Sequence, residues 1–567
     1  MIAHHSPISG VATFGCHLVA TAGYDNQLIL WNADEKLPIA RALHDHLANH
    51  VAFSPDGHHL VSSSSDHTSR LWSVPDLKLT AVLADQGDDV EMSVFHPTES
   101  LIATASRDHH VRVYDFHGGL RACYKGHVAD VTSLVWSAGG DELISSSDDG
   151  TIKRWSLGTG EMVADIDLGG VETDTIAITS EGVIYAGNDE GQIIAIHDGK
   201  AITYSAHAAG IKRLVHQSAG ELLVSLSYDR TLRVWSARGP QLECLARSSM
   251  PAEIWPRSCA FLSADRLAFA TFGSSYAVYH IESDRWDLDG VGSTGGVNAV
   301  TVHEGKRLTI GDAGMLHIDD VASTANGSLC NFLTPVASRV LTGGQMGQVF
   351  DALTGELLHQ HRSPLNCAAT FELRGQPHAI VGTYTGEGLV FCVAPDGKVE
   401  HVATLPLHAN AVKAVAVSGG QIFSVCADTS ASWFSVETFS EIARVNNAHR
   451  KIANGCAALP AGQFASVSRD HKLRLWRGTQ AVVVDTPHTR SIKCVATSKD
   501  GRYVATGSYF GMVAVYDLDR QAWAPALRPT AAGISSLCFD AGASRFLAGS
   551  YDGHVYEVGV DGYVPAR

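Results

Sequence analysis

No stretch of this chain approaches the roughly 18 uninterrupted apolar residues that a membrane-spanning helix requires. Met1 to Gly10 carry two histidines and no basic-then-apolar run, so the protein is expected to be cytoplasmic. No C-x-x-C pair occurs among the 11 cysteines, an odd number, and most lie in apolar strand-like runs, as do Cys259, Cys392, Cys426, Cys494 and Cys538. Buried thiols therefore fit better than disulfides or zinc. A 3.6-residue apolar stripe sustained over three turns is also missing, which leaves an all-β class. Net positive charge is lacking overall, at −17, and the deficit is local. Residues 1–290 hold 37 Asp/Glu against 20 Lys/Arg, and residues 291–567 hold 22 of each. Nucleic acid and anionic membrane are thus poor partners for the first half, because binding them needs a positive field.

What the chain has is a period. A turn acidic residue followed six positions later by a large apolar one recurs clearly at Asp25 to Trp31, Asp66 to Trp72, Asp108 to Tyr114, Asp149 to Trp155, Asp229 to Trp235 and Asp470 to Trp476. Weaker copies extend the frame through Ile196, Tyr279, Ile318, Phe350, Phe391, Phe434, Tyr516 and Val558, giving fourteen markers about 40 residues apart. That is the length of a four-stranded propeller blade. The shortest interval, Ile318 to Phe350, points to a blade that has lost a loop or part of its outer strand. A second marker is a histidine about 22 residues before the aspartate, in His44/Asp66, His127/Asp149 and His207/Asp229; His4/Asp25 and His449/Asp470 are one residue shorter.

With Lys125-Gly126-His127, the segment Ser145–Trp155 (SSSDDGTIKRW) and Phe53–Gly57 (FSPDG), the chain resembles the WD-repeat β-propeller family over nearly its whole length, with blades seven to ten degenerate. The resemblance implies a buried hydrogen-bonded chain in each blade, from histidine through Ser/Thr and turn aspartate to tryptophan. Its members here would be His44, Asp66, Trp72; His127, Asp149, Trp155; His207, Asp229, Trp235; and His449, Asp470, Trp476. Such a network fixes register when every polar group in it is satisfied. Blade thirteen has Phe510 at the aspartate position and blade five has Glu190.

Propellers close with about 4 to 8 blades, so fourteen repeats predict two consecutive seven-bladed rings of four-stranded blades. Residues 1–295 would form the acidic ring and 296–567 the neutral one, divided at the glycine-rich Asp287–Gly296. The closing strand of each ring cannot be assigned from sequence, although Gly562–Val564 is strand-like.

Catalytic readings fare poorly. His127, Ser145 and Asp149 could be assembled into a hydrolase triad, but the same trio recurs in blade after blade, whereas a catalytic site is single. Of the close histidine groups, only His46 and His50 have helical ligand spacing, and they lie in a strand context. Gly343–Gly347 lacks the Lys-Ser/Thr of a phosphate loop. No catalytic residue, metal or cofactor is therefore predicted. In the resembling family the residue before the turn aspartate lies on the partner-binding face, and here that position holds Tyr24, Arg107, Tyr228, Tyr384, Arg469, Tyr509 and Tyr551. Tyr and Arg are enriched where binding energy concentrates. Residues 440–502 add eleven Lys/Arg against four acidic residues, a basic sector suited to an acidic protein partner. The sequence thus predicts a non-catalytic scaffold or adaptor for proteins. The alternatives are a regulatory subunit of one enzyme, a propeller enzyme with a channel site and, more weakly, a nucleic-acid binder.

Overall fold

A computed structural model describes residues 2–561. The chain divides into two compact units, Met1–Thr294 and Gly295–Arg567. Each is a ring of seven antiparallel sheets in which strands follow one another from the innermost to the outermost without crossover. Thirteen sheets have four strands and the fourteenth, Ile534–Gly559, has three among the described residues. Gly562–Val564 lies outside the described residues.

Strand character follows the local composition. Second strands such as Leu18–Gly23 (LVATAG) and Glu142–Ser147 (ELISSS) are almost wholly buried and built from small residues, which lets adjacent sheets pack face to face. Outer strands such as Met162–Asp167 alternate between half-buried and exposed, as a sheet edge does. Among the described residues no helix is long and apolar enough to cross a membrane. A left-handed residue is needed in the hairpin turn after the aspartate position, where Asn26, His67 and Arg230 adopt φ of 67°, 67° and 64°. At Gly386 in that position only glycine fits, because a Cβ would lie 2.1 Å from the His408 carbonyl.

All fourteen sequence markers fall on third strands, and pairing shows twelve in equivalent register. The other two are corrected. In blade eight Ile318 pairs with Leu308, and in blade nine Phe350 pairs with Thr342, one and two positions short of the site Trp235 occupies opposite Leu223. The equivalent residues are Asp319 and Ala352. Blades eight and nine carry Ala313 and Met346 at the turn position, so no carboxylate marks it. The short interval reflects lost loop length, because blade eight keeps its outer strand, Val321–Ala325, behind the two-residue turn Asp319–Asp320.

Both rings close by direct packing of inner strands. In the first unit Ile8–Phe14 lies against Ile254–Phe261, with Val11 N–H donating to Ser258 Oγ at 3.0 Å. Ile8, Val11, Trp31, Leu262 and Tyr276 form the apolar core of that seam. In the second unit Val297–His303 lies against Ile534–Asp540, and Ser535 Oγ donates to the Val297 carbonyl. Its seam is thinner, with Val300, Leu547 and Val555 as its buried apolar residues.

Candidate functional site

The buried hydrogen-bonded chain is present in full in blades one, two, four and six. In blade four Trp155 Nε1–H donates to Ser145 Oγ at 2.9 Å, and Ser145 lies 2.8 Å from His127 Nε2. His127 Nδ1 is 2.8 Å from Asp149. Because a carboxylate can only accept, Nδ1 carries the proton and Nε2 accepts from the serine hydroxyl. His44, Ser62, Asp66 and Trp72 repeat this at 2.7–2.9 Å, and Thr21 replaces the serine between His4, Asp25 and Trp31. In blade six His207 contacts Ser225 at 2.8 Å and Asp229 at 3.1 Å, with Trp235 on the serine at 2.9 Å. Burial alone would raise the carboxyls of Asp66, Asp149 and Asp229, but bonds from their histidines hold all three well below the usual carboxylate range. Ser145 is fully buried and already engaged twice, so this serine–histidine–aspartate geometry presents no nucleophile to solvent.

Blade twelve departs from the expected pattern. Arg474 Nη1 donates to His449 Nδ1 at 2.8 Å and its Nη2 pairs with Asp470 at 2.8 Å, leaving His449 and Asp470 4.0 Å apart. The imidazole proton therefore sits on Nε2, facing Ser466 at 2.8 Å, and burial together with Arg474 pushes the His449 pKa down to about 3. Sequence reasoning missed several variants of the chain. Gln86 takes the histidine place in blade three, donating to Thr104 and Tyr114 at 2.9 and 3.0 Å. His361 pairs with Glu387 at 3.1 Å, and His488 meets Thr506 at 2.8 Å. Gln86 escaped notice because it is not a histidine, although Asp108 stands 22 residues on; His361 and His488 escaped because Thr385 and Phe510 replace the aspartate that would reveal them. His408, Cys426 and Asp428 are close enough to hold a metal, yet their donors are occupied. Both ring nitrogens of His408 meet serine hydroxyls at 2.8 Å, Asp428 accepts from Ser430, and burial keeps the Cys426 thiol protonated. His67, half-buried, and the buried Asp88 and Asp89 form a second group of metal-ligand type.

The face-lining positions are defined by one backbone bond in every blade. A residue at the start of the hairpin turn donates its N–H to the carbonyl just before the inner strand. Those donors are Tyr24, Ser65, Arg107, Asp148, Asp189, Tyr228 and Phe272 in the first ring, and Asp312, Gln345, Tyr384, Ala427, Arg469, Tyr509 and Tyr551 in the second. The seven predicted face residues are among them. All seven are half-buried rather than exposed, and their neighbours engage them. Arg107 bonds Glu91 and Asp130 at 2.5 Å each, and Tyr24 packs edge-on to Trp255 at 5.1 Å.

A second ring lies just inside. In twelve of the fourteen inner strands the pairing register slips beside the second residue, a bulge that turns its side chain toward the axis, and in blade seven the slip is longer, from Ile254 to Cys259. The first ring has Ser9, Asn49, Glu91, Thr132, Asp174, Lys212 and Arg257 there; the second has Asn298, Asn331, Asn366, Lys413, Asn454, Lys493 and Ser535. Several stitch neighbouring blades together: Asn49, Asn331, Asn366 and Asn454 donate to Val90, Leu365, Val412 and Ile492 carbonyls at 2.7–3.0 Å.

Charge separates the two mouths. Counting the face residue, the inner-strand residue and the carbonyl residue before it, the first ring holds cations Arg107, Lys212 and Arg257 against carboxylates Asp89, Glu91, Asp130, Asp148, Glu172, Asp174, Asp189 and Glu253. The second holds Lys413, Arg469 and Lys493 against Asp312 alone. In the first, Lys212 bonds both Asp174 and Asp189; burial and the neighbouring Asp174 carboxylate raise the Asp189 pKa to about 6 against the lowering pull of Lys212. The wider basic sector is partly neutralised, because Arg444, Lys472, Arg474 and Arg502 pair with Glu441, Asp485, Asp470 and Asp517.

Fold and recurring hydrogen-bonded chain together define a tandem β-propeller. The family model described as "WD domain, G-beta repeat" matches residues 39–73, 78–115, 118–156, 200–236 and 480–517, so five of the blades are WD repeats by sequence. Residues 39–73 run from the outer strand of one blade to the third strand of the next, so the sequence repeat is offset from the sheet. Over 265 residues the chain is 20% identical to the transcriptional corepressor LEUNIG_HOMOLOG of Arabidopsis thaliana, covering 38% of this chain and 33% of that protein. It is 26% identical over 236 residues to the Target of rapamycin complex subunit wat1 of Schizosaccharomyces pombe, 39% of this chain and 74% of that protein. Human WD repeat-containing protein 37 is 35% identical over 104 residues, 18% of this chain and 21% of that protein.

Proposed function

We propose that the chain is a non-catalytic scaffold that docks protein partners on its propeller faces, with the face of the second ring as the principal surface. The observation that carries this reading is that the chemistry-bearing trio of His, Ser and Asp is repeated, buried and hydrogen-bonded in blade after blade, while half-buried tyrosines and Arg469 gather at the second mouth. Relatives named as subunits of larger complexes support it in general terms. A tagged pull-down tests it, comparing the intact chain with a variant carrying Tyr384, Arg469, Tyr509 and Tyr551 all changed to alanine. Partners lost only in the variant establish the face; partners retained by it refute the assignment.

A second reading is a fixed subunit of one complex. It is favoured by the wat1 relative, a complex subunit of which the match covers 74%. One partner recovered in constant stoichiometry through gel filtration, instead of several exchangeable ones, selects it.

A further inference from the structure

One buried contact recurs between blades of the first ring, and one boundary inverts it. The third residue of an inner strand accepts a hydrogen bond from the N–H of the fourth residue in the next blade: Met92 Sδ from Leu134 at 3.4 Å, Ser133 Oγ from Ile176 at 3.3 Å, Thr175 Oγ1 from Leu214 at 3.0 Å and Ser258 Oγ from Val11 at 3.0 Å. Between blades six and seven that place is held by Arg213, and the N–H in question belongs to Cys259. Cys259 stands opposite Phe269 as Leu214 stands opposite Ser225, so its N–H points to the same side of the strand. A guanidinium only donates, so donor faces donor at this boundary. Arg213 Nε is buried without a hydrogen-bond partner, and among the described residues no carboxylate pairs with this arginine. Its charged neighbour is a second cation, Arg257, whose own partner is Glu91 at 3.2 Å. The third residue of blade two, His50, is 7% exposed and its Nδ1 also lacks a partner. Burial, with the field of Arg213 and Arg257, pushes its pKa down to about 3, so it is neutral and supplies no counter-charge.

We propose that a compact monovalent anion of the size of chloride is held in the first ring's channel, between the Arg213 guanidinium and the Cys259 N–H. A buried charge needs a counter-charge, which water does not supply. A single hydroxyl oxygen or sulfur spans the equivalent gap in neighbouring blades, so the ligand is small. Arg213 is half-buried, which leaves the ion a way in from the channel. Once bound, the ion ties blade six to blade seven, next to the seam where the ring closes. The site goes beyond the scaffold reading and does not depend on it.

Hydrogen exchange of the full chain tests this, with chloride replaced by the bulkier gluconate at constant ionic strength and the strand Ile254–Phe261 followed by mass spectrometry. Chloride is expected to slow exchange there saturably, by about tenfold or more, because the ion must leave before the boundary opens. The second ring's Val297–His303, where Ser536 Oγ already accepts from Val300 N–H at 3.3 Å, is the internal control and should not respond. Arg213→Thr supplies the hydroxyl that Thr175 offers Leu214, and should protect the strand whichever anion is present. Arg213→Met removes the charge without adding an acceptor, and should leave exchange fast in both anions. A strand that ignores chloride in the parent chain, an equal response in the second ring, or a response that survives both substitutions overturns the proposal. Partner capture plays no part in this measurement, so failure of the anion site and failure of the scaffold reading are seen separately.

Discussion

Lys212 in the first propeller and Lys493 in the second occupy the same place on the inner strand of a blade, yet one lies between Asp174 and Asp189 and the other beside the ring of Tyr509. The fold dictates where such a side chain points, through the bulge in the inner strand, and leaves its electrostatic company to the neighbouring turns. One mouth is consequently an acid-rich ion-pair network and the other an aromatic-lined cationic funnel. The same contrast runs through the blades. Blades one, two, four and six of the first ring carry the full tetrad, whereas Phe391, Phe434 and Tyr516 take the tryptophan place in three blades of the second and leave more of the work to packing.

The largest expected effect uses one substitution in both places. Lys212→Met strands two carboxylates and should cost about 3 kcal/mol or more, since breaking a buried ion pair leaves uncompensated charge. Lys493→Met strands none and should stay within about 1 kcal/mol of the parent chain. Denaturant titration resolves the two, and equal losses would erase the contrast. Asp66→Ala should cost roughly 3 kcal/mol, because His44, Thr68 and Arg70 all bond that carboxylate. Asp428→Ala, where Ser430 stands between the acid and His408, should cost about 1 kcal/mol. Hydrogen exchange in the two blades provides the readout.

Acid should unsettle the second ring through its histidines. Burial lowers His408 and His488 to about 4 and His449 to about 3. The unfolded chain takes up those protons near pH 6.5 and the folded one does not, so stability falls as pH drops from about 6.5 toward 4, on the order of 2 kcal/mol per imidazole at pH 5. Denaturation midpoints at pH 7.5 and 5, followed through Trp433 and Trp476, measure the loss. The smallest effect sought is a repair. His488 Nδ1 is buried without a hydrogen-bond partner, and Phe510 occupies the aspartate position of that blade. Phe510→Asp should supply the acceptor and raise the His488 pKa by about one unit or more, observable by NMR. An unmoved titration would show that the turn places the new carboxylate elsewhere.

Much of this plan was legible. The spacing of aspartate and aromatic residue reports a hairpin turn and its third strand, both local features, and it placed twelve markers in register. It failed at Ile318 because Asp312 stands one residue ahead of the turn position, Ala313, and at Phe350 because Met346 leaves no polar mark on a shortened blade. The expected tetrad of blade twelve failed for another reason: Arg474, four residues from Asp470, reaches back between acid and imidazole, and no spacing rule reveals which partner wins.

The sequence by itself determined the all-β class, the repeat, the number of blades and the residues forming the buried chains of blades two, four and six, because each depends on contacts within one blade or with its immediate neighbour. Only the tertiary structure decided how the rings close, which residues the inner-strand bulges turn into each channel, and whether a lysine there meets acids or tyrosines. Those outcomes depend on seven separate segments converging on one axis. Residues as distant as Val297 and Ser535 become neighbours there, and no local pattern encodes that convergence.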